Sequence, residues 1–367
     1  MMKNLLISLL ALALLAGITV SCGQQGEPKT EKATLSDEDK AFIDLAGNYF
    51  EPIPDSVPNV DNPIFAEKIE LGWMLFYDTR LSLNNSISCN TCHNMSTYGV
   101  DNNPVSVGFG GQTGSRNSPT VLNAALHFSQ FWDGSAKDVE EQATGPVMNP
   151  VEMAMPHEDI AVARIATIPE YQAMFKIVFP DEVPAVTLKN IGKAIGAFER
   201  GLLTPGRFDD FLNGDGAALS EKEKKGLDKF ISTGCIMCHT GPALGGQNFF
   251  KFGLVVEPYW EYTKSENHDE GLFGITGIES DKYKFKVPGL LNIARTYPYF
   301  HDGSVWDLKE ANRIMAQTQL NKDLSEEDLD LITNWMQSLT GTIPEDALRL
   351  PILPAATNET PKPQMTL

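Results

Sequence analysis

Cys89-Asn90-Thr91-Cys92-His93 decides the reading of this chain, and Cys235-Ile236-Met237-Cys238-His239 repeats it. Each is a C-x-x-C-H run, the attachment signature of c-type haem. The spacing has a chemical cause. Two thiols three positions apart can add to the two vinyl groups on one edge of a porphyrin, and the histidine that follows then lies under the iron as its proximal ligand. A bare C-x-x-C would equally suit a redox dithiol or half of a zinc site. A zinc site built from all four cysteines would leave both histidines unexplained. Two covalently bound haem c groups are therefore expected, one on Cys89, Cys92 and His93 and one on Cys235, Cys238 and His239. The fifth cysteine is Cys22, so no pair remains for a disulfide.

At 367 residues the chain is long enough for two domains, and its 42% hydrophobic content is that of a globular protein. A formal net charge of −19 argues against nucleic acid as a partner and would steer a basic redox protein toward it. Residues 1–21 carry Lys3 and then an apolar run too short for a confident membrane span, as in an export signal. Thr19-Val20-Ser21 before the lone Cys22 resembles a lipoprotein signal, although leucine is usual where Thr19 stands. The expectation is a periplasmic protein, tethered to the membrane by lipid on Cys22 through a polar segment over residues 22–35.

Helical signals dominate the rest. Ser36 caps a helix through Asp39; a second helix fits residues 63–77, with Phe65, Ile69, Trp73 and Phe76 on its face. Helical spacing returns over residues 121–126, and Thr187 caps a helix with Ile191, Ala194, Ile195, Phe198 and Leu202 on its buried side. Thr204-Pro205-Gly206 breaks the chain and marks a domain boundary. Beyond it, Ser220 and Glu223 form a capping box, and Ser325 and Asp328 open a last helix. No run alternates as a strand should. The expected fold is mainly α: a haem domain over residues 36–205, a second over 206–341, long loops between the helices, and a tail over 342–367 that straps another domain or is disordered.

Arg116-Asn117-Ser118-Pro119-Thr120, Phe131-Trp132-Asp133-Gly134, Glu141-Gln142-Ala143 and Asn149-Pro150-Val151-Glu152-Met153 resemble bacterial dihaem cytochrome c peroxidases. So do residues 296–304, Thr-Tyr-Pro-Tyr-Phe-His-Asp-Gly-Ser, and the later Met315. The resemblance implies two cytochrome c-like domains packed together. It implies that His93 holds the haem that splits hydrogen peroxide, with Glu152 as proton shuttle and Gln142 orienting the peroxide. It makes His239 and Met315 the ligands of a second, electron-supplying haem, and Trp132 the relay between the two. Asn117, with the carbonyls of Thr296 and Pro298, resembles a calcium site. A small cytochrome c or cupredoxin donor and a homodimer are also implied. In many members a histidine caps the resting peroxide-splitting iron; the aligned residue here is Phe109, which cannot ligate.

Two other functions fit parts of this pattern. A dihaem electron carrier would need neither an open iron nor a positioned Glu152. A relative of the dihaem oxidase that modifies tryptophan would carry tyrosine where Met315 stands. His127, His157 and His268 match no ligand role and are expected to be ordinary polar residues.

Overall fold

A computed structural model describes residues 35–366; the expected signal peptide, the lipidation site Cys22 and the tether up to residue 34 lie outside them. The first helix, α1 (Asp37–Ala46), starts where Ser36 accepts a hydrogen bond from Asp39 N at 3.0 Å. Helix α2 (Ala66–Tyr77) begins three residues later than its sequence suggests, because the Pro63 carbonyl is taken by Lys68 Nζ at 2.8 Å. Its buried side is Leu71, Gly72 and Leu75 with Phe76, whereas Phe65 is exposed and Trp73 faces a later stretch of chain. Helices α3 (Glu158–Ala166) and α4 (Pro169–Val178) precede α5 (Leu188–Glu199), capped by Thr187 as expected. Residues 121–126 make only a short 3₁₀ turn over Ala124–Leu126.

The second half adds α6 (Arg207–Leu212), α7 (Glu221–Thr233), α8 (Leu308–Leu320) and α9 (Glu326–Gln337). Both capping signals, Ser220 with Glu223 and Ser325 with Asp328, are formed. Gly234 ends α7 in the left-handed region at φ 100°, which puts the second C-x-x-C-H run directly after the helix. The fold is mainly helical, but β1 (Phe249–Lys251) and β2 (Lys284–Lys286) pair antiparallel with Phe250 opposite Phe285. Three residues per strand are too few for alternation to show in the sequence.

Two hydrophobic cores result. In the first, α2 lies along α5, burying Leu71, Leu75, Phe76, Ile191, Ile195 and Phe198. Gly72 permits the approach: a Cβ there would sit 1.9 Å from the Ala194 carbonyl oxygen. In the second, Phe208, Phe211, Leu227 and Phe230 surround the fully buried Trp335 of α9. The chain ends cross between these cores. Ala46 of α1 and Phe50 pack into the second core. Ile343, Ala347 and Leu353 lie on the first, where Trp73 Nε1 donates to Arg349 O at 3.1 Å and Gln364 N to Leu83 O at 2.9 Å. A cut at residue 205 thus leaves each end of the chain packed on the other side's core.

Candidate functional site

The first run forms one helical turn, Cys89–Cys92, held by reciprocal hydrogen bonds between Ser88 and Thr91. The second forms a 3₁₀ turn, Cys235–Met237. In both, the histidine ring is oriented by a backbone carbonyl. His93 Nδ1 lies 3.4 Å from Gly99 O, and His239 Nδ1 lies 3.0 Å from Leu244 O. A protonated Nδ1 donating to that oxygen leaves Nε2 free as a ligand. None of the four cysteines of the two runs is in a disulfide. Burial pushes Cys235 up to about 12 and Cys89 higher still, so neither ionises on its own near neutral pH. An apolar cavity over the second run is lined by Cys235, Cys238, His239, Leu308, Met315 and Met336. Cysteines outside any disulfide, histidines with Nε2 unengaged and an apolar cavity with a thioether on its wall fit a haem, and no three His, Cys, Asp or Glu side chains among the described residues come together as a zinc site would need.

Met315 reaches this cavity because it shares one face of α8 with Leu308, Ala311 and Asn312, spaced three to four residues apart, which line the cavity too. Trp132 lines the same cavity. Its indole Nε1 donates to Asn117 O at 2.9 Å, its carbonyl accepts from Lys286 N at 2.8 Å, and its ring stands edge-on to His301 at 6.3 Å. Arg116 clamps this region, pairing with Asp133 and, through Nε at 2.6 Å, with Asp269. Asn117, Thr296 and Pro298 all line the cavity as well. Among the described residues no group of three His, Cys, Asp or Glu side chains could hold a metal ion. A cation at Asn117 would therefore rest on amide and carbonyl oxygens.

Glu152 sits on the turn after Gly145–Met148, half-buried. Burial raises its carboxyl above the ordinary value despite a hydrogen bond with the Asn149 side chain. The Cys92 thiol is raised by burial, with the charges of Asp101 and Glu152 adding to it, so Glu152 lies on the side of the first run. The Phe109 loop docks on the same turn. Phe109 N donates to Glu152 O at 2.8 Å, Gln112 Nε2 to Pro150 O at 3.3 Å, and Val107 bridges Thr113. Gly108 is required there, since a Cβ would lie 1.9 Å from Val151 O. Phe109 itself is buried in the first core with Met95 and Met153. Gln142 ends the turn Val139–Gln142, half-buried, its side-chain amide without a hydrogen-bond partner among the described residues.

His157 sits before α3 without capping it, and His268 stacks on Trp260 at 4.2 Å. His127 is different: its Nδ1 lies 2.9 Å from the buried Lys286 Nζ. A lysine inside the apolar stretch Phe285-Lys286-Val287-Pro288 was the signal available in the sequence, as was Glu199 after Ala197 and Phe198. No helix among the described residues is long and apolar enough to cross a membrane.

Comparison with known proteins follows the same lines. A family model described as di-haem cytochrome c peroxidase matches residues 66–217. The chain is 45% identical over 325 residues to a cytochrome c551 peroxidase of Pseudomonas aeruginosa, covering 88% of this chain and 92% of that one. It is 46% identical over 303 residues to a cytochrome c551 peroxidase of Nitrosomonas europaea, covering 82% and 88%. Among solved structures, a MauG-like protein associated with microbial copper homeostasis matches with a TM-score of 0.72 at 29% identity, over 82% of this chain and 95% of that one.

Proposed function

This chain belongs to the di-haem cytochrome c peroxidase family, and from that membership we propose how its own residues divide the reduction of hydrogen peroxide to water. Cys89, Cys92 and His93 hold one haem, and Cys235, Cys238, His239 and Met315 hold the other. When bound, the two haems supply an iron that takes peroxide and a store for electrons from a redox partner. The overall change is H₂O₂ + 2e⁻ + 2H⁺ → 2H₂O. Glu152 would accept the proton from one peroxide oxygen and return it to the other, which leaves as water. Gln142 donates a hydrogen bond that orients the peroxide. The observation that carries this reading is the half-buried Glu152, its carboxyl raised by burial, on the side of the first run. An electron carrier without substrate has no use for such a group.

Met315 closes the second site with a soft thioether, which favours ferrous iron and raises the potential. Trp132, lying between Asn117 and Lys286 on the cavity wall, relays the electron. Asn117 with the Thr296 and Pro298 carbonyls binds calcium, a hard cation suited to oxygen donors. The enzyme works in the periplasm, tethered through lipid on Cys22, as a homodimer fed by a small cytochrome c or cupredoxin. Steady-state peroxide reduction with a pre-reduced small cytochrome c tests the assignment. Protein from an exporting host should carry two haems per chain and oxidise two donor molecules per peroxide; two haems without peroxide turnover would leave an electron carrier.

A further inference from the structure

Lys286 is a lysine that the fold buries without giving it an anion. It closes β2, is 5% exposed, and lines the cavity that also holds Cys235, Cys238 and His239. Two residues earlier, Lys284 pairs with Asp281 at 3.0 Å. Lys286 forms no ion pair among the described residues; its hydrogen bond is to Nδ1 of His127 at 2.9 Å, a neutral acceptor. Asp133 attracts it from a distance, but that carboxylate is already paired to Arg116. Burying an ammonium without a counter-charge costs several kcal/mol. Burial accordingly pushes Lys286 down to about 7, against the pull of Asp133.

The surroundings hold this arrangement in place. His127 is pressed between two glycines: a Cβ at Gly246 would lie 2.2 Å from its ring, and one at Gly289 2.8 Å from Nε2. Lys286 N is tied to the Trp132 carbonyl at 2.8 Å. A lysine without a counter-charge, fixed by two neighbours and facing an apolar cavity, is complementary to a ligand that is apolar over most of its surface and anionic at one edge. A haem is such a ligand, since it carries two propionate carboxylates on one side of the ring. We propose that Lys286, positioned by His127, is the counter-cation of a propionate of the second haem. The inference rests on the reading of Cys235-Ile236-Met237-Cys238-His239 as a haem site. A positive charge at that edge also favours the ferrous state, so Lys286 helps Met315 keep this haem the high-potential one.

The test uses the full protein matured in an exporting host, with haem content measured first. Fewer than two haems per chain in the parent would overturn the haem reading itself. With two haems present, spectroelectrochemical titration of Lys286→Met should show a lower midpoint potential for the second haem and a smaller change or none at the first. Lys286→Arg should restore most of the parent value. Loss of the second haem in Lys286→Met but not in Lys286→Arg would support the same pairing. A two-haem Lys286→Met protein whose second haem titrates at the parent potential would overturn it, as would a shift larger at the first haem. Exchanging chloride for sulfate separates the propionate from a free anion: the parent potential should not move, and if it does the counter-charge is not the propionate.

Discussion

Around the first C-x-x-C-H run the chain brings a carboxyl group, Glu152, and a loop whose tip is Phe109; around the second it brings a thioether, Met315, and an ammonium, Lys286. The runs themselves are nearly interchangeable. Both present two cysteines outside any disulfide and a histidine held by a backbone carbonyl. The difference lies in what distant segments contribute: a carboxyl lies on the side of one run, and a thioether and a lysine line the cavity over the other. A repeat in sequence thus becomes two unlike sites through its surroundings.

The sharpest way to break this contrast is Glu152→Gln. Without a group to move the proton, peroxide reduction should fall by roughly 10²–10⁴-fold, while both haem potentials stay near the parent values. Turnover at the parent rate would remove the proton-handling half of the comparison. Because burial raises this carboxyl and the working form is the carboxylate, parent activity should decline as pH falls through a pKa above the ordinary 4.5. That acid limb should be absent from the residual activity of the variant.

Phe109→His comes next, since it would make the first site resemble a closed one. Phe109 cannot bind iron, so the oxidised parent should show a high-spin ferric signal in electron paramagnetic resonance and bind cyanide without prior reduction. The variant should gain a low-spin signal in its place and depend on pre-reduction. Two low-spin signals in the parent would mean that another side chain closes the first site. Met315→His alters the other side by a smaller step. The second haem should stay six-coordinate, with a midpoint potential lower by on the order of 0.1 V within the roughly 0.8 V range that axial ligands span. An unchanged redox titration would place its sixth ligand elsewhere.

The two runs were legible in the sequence because they are short motifs with fixed chemistry, whereas the contrast between them was not: Glu152 and Met315 stand out only through the family resemblance. The two runs, the Ser220–Glu223 capping box and the Thr187 cap are local, and local patterns survive folding. The buried face of α2 was legible only in part: Phe76 is in the first core and Ile69 and Trp73 pack against it, whereas Phe65 is exposed. That the tail also reaches Trp73, with Arg349 O accepting from its indole 276 residues away in the chain, was not legible. The crossing of the ends was hidden for the same reason: Phe50 and Ala347 are apolar, but nothing local says which core takes them. Lys286 and His127 are 159 residues apart, and their pairing depends on glycines that become tight only in the fold.

The smallest effect concerns Glu199, a buried carboxyl of α5 whose charge also adds to the raised Cys89 thiol of the first run. Glu199 lies on α5 in the first core's wall and is 3% exposed. Its neighbour Arg200 is committed to Glu140, at 2.7 and 2.8 Å. Burial, helped by the charge of Glu140 and opposed by Arg200, raises Glu199 to about 8. In the second half of the chain the buried Glu223 behaves oppositely: it is paired with Arg207 and held below its ordinary value, although burial works the other way. The sign follows from proton binding. Folded Glu199 holds its proton more tightly than the unfolded chain does, so its share of stability is complete below about pH 4.5. That share declines between about 4.5 and 8 and is gone above 8. Chemical denaturation of the parent at pH 5 and pH 8 should therefore show a loss at the higher pH that Glu199→Gln reduces by on the order of 1–3 kcal/mol. Equal losses in parent and variant would show that Glu199 is ionised in the folded protein, as the Arg207-paired Glu223 is.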